Sequence, residues 1–215
     1  MAGSTGLIGG LLLKRLSGQD LTLIGRRTNA VAPSSAKQLI GEVADWSGLI
    51  AKAKASIAIC TLGTTIRVAG SKDAFAAIDR DAVIAFAKAA YAAGVRQFMM
   101  VSSVGANTKA SNFYLATKGQ AEEGVKAIGF ARVDIFRPGL LRGERGGTFR
   151  PVERLMINLS PLTNLLTPRP FDHYRAIDAD DVAGAMAGCA GKAGQGTFVH
   201  HNREMWGANR GAHQA

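Results

Sequence analysis

Gly3, Gly6 and Gly9 recur at every third position in Gly3-Ser4-Thr5-Gly6-Leu7-Ile8-Gly9 and lead straight into the apolar stretch Leu7–Leu16, which Gly18 stops. A turn of this kind brings backbone N–H groups to the positive end of a helix, where side chains would collide with an approaching pyrophosphate. Glycines also gather in ordinary turns, so the rest of the chain has to decide between the two readings.

That remainder alternates. Leu21–Ile24, Ser56–Cys60, Val95–Val101 and Arg132–Phe136 read as short buried strands. Between them, Ser47–Lys54 is expected to be a short helix, Asp79–Ala93 a longer one that opens on acidic residues and stops at Gly94, and Tyr114–Ile128 another, closed by Gly129. Ala30–Gly41 shows little pattern. Asp180–Ala190 and Thr197–His200 return to helix and strand composition, while Pro151, Pro161, Pro168 and Pro170 punctuate a less regular, substrate-facing stretch at about 139–178. Parallel neighbours need crossovers long enough to hold a helix. The expected fold class is therefore α/β: a Rossmann-like, doubly wound, mostly parallel sheet with helices on both faces, in one domain spanning 1–215. Only Met1 and Ala2 precede the glycine turn, so the first strand is expected to be truncated or missing: the start is shortened, or another segment fills the place.

The end of the second strand, Leu21-Thr22-Leu23-Ile24-Gly25-Arg26-Arg27, is basic where NAD-selective folds offer an acid to the ribose hydroxyls. Arg26 and Arg27 suit a 2′-phosphate, which favours NADP (NADPH) and leaves NAD possible; a solvated basic turn is the plain alternative. The formal charge of +10 is dispersed in small groups such as Arg26–Arg27 and Arg142–Arg145, so no specific nucleic-acid partner is expected. No apolar run reaches about 18 residues. With two cysteines, Cys60 and Cys189, and no signal-peptide pattern, a cytoplasmic location without membrane attachment is expected.

Tyr114 and Lys118 stand four positions apart, on one helical face. A free phenol ionises near pH ~10, and a neighbouring ammonium favours phenolate, which makes such a pair suitable for proton transfer at neutrality. Ser102 and Ser103 follow a strand at the sheet's carboxyl edge, where Ser103 can orient a carbonyl. Taken singly, the first is also a common surface pair and the second a common turn. No metal is expected. His200 and His201 point to opposite faces with no acid or thiol joining them, Cys60 reads as a buried side chain, and Asp178, Asp180 and Asp181 read as a helix start.

Together with the glycine turn, Cys60-Thr61-Leu62-Gly63-Thr64-Thr65, Asp79-Arg80-Asp81, Ser102-Ser103-Val104-Gly105-Ala106, Tyr114 with Lys118, and Phe136-Arg137-Pro138-Gly139 resemble the atypical short-chain dehydrogenases/reductases, specifically the Tat-interacting-protein subgroup and its bacterial relatives. The resemblance implies Gly3, Ser4, Thr5, Gly6, Leu7, Ile8 and Gly9 as the cofactor turn and adds the loop residues Leu62 and Gly63, with Asp45 approaching the adenine, to the Arg26, Arg27 and Lys118 that the residues themselves suggest, Lys118 as a contact to the nicotinamide ribose. It implies Ser103, Tyr114 and Lys118 as the catalytic set, acting on an unidentified small carbonyl or alcohol, and habit within the superfamily adds a homodimer or protein partner. The subgroup also contains regulatory binding proteins, so a dinucleotide sensor without useful catalysis is the alternative.

Overall fold

The computed structural model describes residues 1–143 and 175–210. The expected region at about 139–178, with its four prolines, falls mostly outside the described residues, as does Arg145.

The elements follow the alternation. In chain order they are α1 (Leu7–Arg15), β1 (Thr22–Gly25), β2 (Lys37–Ile40), α2 (Trp46–Ile50), β3 (Ile57–Cys60), α3 (Ile66–Ala69), α4 (Lys72–Ala76), a π-helical turn (Ala77–Ala82), α5 (Val83–Ala92), β4 (Gln97–Val101), α6 (Phe113–Lys126), β5 (Arg132–Phe136), β6 (Leu141–Arg142), β7 (Ile177–Asp178), α7 (Ala179–Cys189), β8 (Gly196–His200) and α8 (Asn202–Arg210).

Among the described residues every strand pairing is parallel. One ladder joins β2 to β1 and another joins β3, β4, β5 and β8 in that order. Ala2 closes the gap between them: it bridges Ile24 on one side and Cys60 on the other. Its amide donates to Ile59 O at 2.9 Å, its carbonyl accepts from Thr61 N at 2.9 Å, and Met1 O accepts from Ile24 N at 2.9 Å. Two residues thus occupy the place of an interior strand and satisfy the backbone groups at its carboxyl end. The resulting order, β2-β1-Ala2-β3-β4-β5-β8, is doubly wound, with its switch point at the glycine turn that follows Ala2.

Two apolar layers flank the sheet. On one side Ile8, Leu12 and Leu13 of α1 meet Val182, Ala183 and Met186 of α7 over Leu23, Met99 and Phe136. On the other, Trp46, Val83, Phe86 and Val125 from α2, α5 and α6 pack over Ile24, Phe98 and Ile135. β5 is buried along its whole length, as an interior parallel strand requires.

Two expectations need correction. The segment without pattern contains a strand, β2, whose residues are half-buried or exposed. An edge strand of this kind carries no apolar alternation to announce it. The helix expected to begin at Asp79 begins instead at Lys72, capped by Ser71, whose side chain accepts from Ala74 N at 3.0 Å. Asp79 therefore lies inside a helical run, within the π turn, and is 1% exposed. A π turn re-aims side chains within a helix and recurs at functional sites.

Candidate functional site

Gly3 adopts φ 85°, open to glycine at little cost, and an added Cβ there would meet the Thr61 carbonyl carbon at 2.5 Å. Gly9 has no more room, with Gly3 O at 2.1 Å from the same hypothetical atom. The turn therefore folds back on itself and against the end of β3. Thr61 Oγ1 donates towards Ala2 O and Gly3 O at 3.1 and 3.0 Å. The N-cap of α1 is Gly6, which offers no side-chain cap, and no acid occupies the first turn. The positive helix end and its free N–H groups are left available to an anion.

Asn29, buried behind the turn, was not picked out in the sequence. Its Nδ2 donates to Ser4 O at 3.1 Å and lies 3.2 Å from Ser4 Oγ, and Gln38 Oε1 accepts from its backbone amide at 2.8 Å. Asn29 thus fixes the glycine turn relative to the loop after β1. A cleft of about 800 Å³ opens beside them, lined by Gly3, Ser4, Thr5, Arg26, Arg27 and Leu62 among others. Arg26 and Arg27 are exposed. Asp45, by contrast, turns its carboxylate to the Glu42 amide at 3.0 Å in a capping box, and Glu42 and Val43 form the cleft wall there.

The loop Leu62–Gly63 links this cleft to the Tyr–Lys pair. A Cβ on Gly3 would lie 2.6 Å from Leu62 N, while one on Gly63 would lie 3.7 Å from Lys118 Nζ and 3.5 Å from Asp79 Oδ1. Lys118 is 5% exposed and pairs with Asp79 at 2.6 Å, and Asp79 Oδ2 also accepts from Thr64 N at 2.8 Å. Burial alone would lower the Lys118 amine; the opposing charge of Asp79, chiefly, reverses that and holds it above the ordinary lysine value. Tyr114, one helical turn away, packs its ring against Phe75 with centroids 5.5 Å apart. Phe75 and Asp79 on one helical run therefore face Tyr114 and Lys118 on α6.

Ser103 is half-buried, and its hydroxyl donates to Val104 O at 3.3 Å. Its loop lies on α6: Asn107 N donates to Leu115 O at 3.2 Å, and a Cβ on Gly119 would strike the Asn107 carbonyl carbon at 2.4 Å. Beneath it, Glu122 of α6 accepts from Ser102 Oγ and from Arg137 Nε at 2.9 Å. The ends of β4 and β5 are thereby tied to the helix that carries Tyr114 and Lys118.

Cys60 is 1% exposed, and burial pushes its thiol up to about 11, a value that leaves it protonated and unreactive. Asp178 stands at the N-cap position of α7 but pairs its carboxylate with Arg142 at 3.0 Å instead of capping the helix, and Asp180 and Asp181 lie in the first turn. Contrary to the expectation that no acid or thiol joins His200, pairing of β8 with β5 brings Asp134 beside it and the end of α7 brings Cys189, with donor atoms within 4.8 Å of one another. Both Asp134 oxygens are already engaged, by Arg132, Gln97 and His200. The Arg132 guanidinium stands where a metal cation would have to balance that carboxylate.

Residues 3–190 match a family described as NAD(P)H-binding. Protein HTATIP2 of Rattus norvegicus is 39% identical over 151 residues, 66% of this chain and 62% of the rat protein's length. The chain is also 37% identical to mitochondrial protein FMP52-1 of Scheffersomyces stipitis, covering 77% of this chain and 79% of the yeast protein. Mitochondrial protein fmp52 of Aspergillus niger is 32% identical, covering 96% and 92%. Among solved structures, MoeE5 in complex with UDP-glucose and NAD superimposes with a TM-score of 0.69 at 18% identity, covering 95% of this chain and 78% of that one. A dTDP-glucose 4,6-dehydratase, DesIV of Streptomyces venezuelae with NAD bound, gives 0.70 at 17% identity, covering 96% and 78%. These two likenesses establish the Rossmann-like fold.

Proposed function

We propose a function from one premise: the chain belongs to the NAD(P)H-binding family. It is an NADP-dependent oxidoreductase of the atypical short-chain dehydrogenase/reductase type, acting on a small carbonyl or alcohol. The observation that carries this reading is the chain of polar contacts at the carboxyl edge of a parallel sheet, from Gly3 O through Thr61 and the Leu62–Thr64 loop to Asp79 and Lys118. The close-packed turn, the uncapped N-terminus of α1 and the adjoining cleft of about 800 Å³ fit a dinucleotide pyrophosphate. Arg26 and Arg27 on the cleft wall suit a 2′-phosphate, the basis for preferring NADP over NAD.

When bound, the dinucleotide supplies or accepts the hydride. In the reductive direction Ser103 Oγ holds the substrate's carbonyl oxygen and Tyr114 Oη gives it a proton. Lys118 binds the ribose and supports the resulting phenolate. Aligning these groups in a site screened from water is the protein's contribution to rate. The two buried free thiols suit a reducing compartment, and we place the protein in the cytoplasm; fractionation against the mitochondrial location in its fungal relatives' names tests this.

The deciding experiment titrates the protein with NADPH and NADH by nicotinamide fluorescence, then follows NADPH oxidation with a panel of aldehydes, ketones and quinones. Tighter binding of NADPH with carbonyl-dependent oxidation is expected. NADPH binding without turnover on any carbonyl favours the sensor, and failure to bind either nucleotide removes both readings.

A further inference from the structure

Lys118 is placed almost wholly out of solvent, where a lone ammonium would shed its proton to avoid the loss of hydration. Three titratable groups face it from the elements around it: Asp79 from the π turn, Tyr114 from its own helix and Cys60 from the end of β3. The Met1 amine acts on Cys60. Arg80 and Asp81, the other two charges of the π turn, pair with each other, and Arg80 also donates to Gln120. Of these, Asp79 alone forms an ion pair with the amine, at 2.6 Å, and its second oxygen is pinned by Thr64 N at 2.8 Å. The carboxylate is thus fixed by the same loop that carries Gly63 past Lys118 Nζ. The one-residue widening of the π turn lies where Asp79 leaves the helix surface for the interior.

We propose that Asp79 is the positioning residue of this site: its carboxylate keeps the buried Lys118 amine charged and aimed at the Gly63 side of the cofactor cleft. The inference rests on the reading of Lys118 as a dinucleotide contact. Asp79 touches neither cofactor nor substrate and acts only through Lys118. Removing its charge leaves burial unopposed, so Lys118 loses its proton at lower pH and the ribose loses a charged donor.

The test is a pH titration of ¹³C-lysine-labelled protein by NMR, with Lys118→Met used to assign the Lys118 signal, beside NADPH titrations at pH 7 and pH 9. In Asp79→Asn the Lys118 midpoint should fall below that of the parent, and NADPH affinity at pH 9 should drop about tenfold, the worth of one charge-assisted bond. Asp79→Glu keeps the charge on a longer arm: it should leave the midpoint near the parent's while weakening NADPH binding at both pH values. It also serves if Asp79→Asn does not fold. A folded Asp79→Asn protein whose Lys118 titrates like the parent's overturns the proposal, and so does Asp79→Glu binding NADPH as the parent does at both pH values. A lowered midpoint with unchanged NADPH affinity in Asp79→Asn supports the electrostatic role of Asp79 and overturns the placement of Lys118 at the cofactor.

Discussion

A Cβ at Gly9 would stand 2.1 Å from the carbonyl oxygen of Gly3, so the first turn of α1 and the end of the Ala2 bridge are in backbone contact. A side chain at Gly9 has to push apart the two segments that form the anion-binding turn. Gly10, the next residue of the same helix, has open space around it.

Gly9→Ala should cost about 1–3 kcal/mol, the usual range for overpacking, and abolish measurable NADPH binding. Gly10→Ala should be neutral or gain up to about 1 kcal/mol from helix propensity, with binding unchanged. Chemical denaturation and nicotinamide fluorescence on the two proteins check this pair, and equal effects would refute the contact argument.

Replacing Tyr114 with Phe keeps the ring against Phe75 and removes only the hydroxyl. NADPH affinity should stay within about twofold, while turnover falls on the order of 10²–10⁴-fold, the contribution of a positioned acid. Steady-state kinetics on whichever carbonyl the panel identifies, alongside a binding titration, separate this from misfolding, in which both would be lost.

Arg26 and Arg27 are exposed on the cleft wall, so their removal should not disturb the core. The double replacement by Ala should weaken NADPH by about 1.5–3 kcal/mol, the range for hydrogen bonds to charged groups, and leave NADH nearly unchanged. The parent's preference for NADPH should also shrink as salt is raised. Equal loss for the two nucleotides would show that the arginines do not read the 2′-phosphate.

Asp134 is fully buried between β4 and β8. Burial alone would raise its pKa, but hydrogen bonds from His200, Arg132 and Gln97 outweigh that and hold it at about 2 against an ordinary 3.8. A carboxyl lowered in the folded state contributes stability that is fully present above its unfolded value and is lost as pH falls through the folded one. Stability should therefore decline between about pH 4 and about pH 2. Asp134→Asn should flatten that part of the profile and, by stranding buried Arg132, cost on the order of 3 kcal/mol at pH 7. Urea melts at a series of pH values read both effects.

The alternation of elements, the glycine turn, the strand Arg132–Phe136 and the shared face of Tyr114 and Lys118 were all legible in the sequence. Each is a local pattern, set by periodicity or by what a few neighbouring residues allow the backbone to do. β2 escaped because an exposed edge strand buries too little to impose a pattern. Asp79 reads in the sequence as an acid suited to a helix start and as part of the family-like Asp79-Arg80-Asp81, but not as the partner of Lys118, because neither the cap at Ser71 nor the π turn leaves a local pattern.

Asn29 at Ser4, Asp79 at Lys118, and Asp134 beside His200 and Cys189 were decided by the tertiary structure alone. The Asn29–Ser4 contact spans 25 positions in the chain and the Asp134–His200 contact 66. Such partners meet only after parallel strands have chosen their neighbours. A buried polar group must then be satisfied by whatever donor or acceptor the fold brings within reach, and local sequence carries no record of that choice.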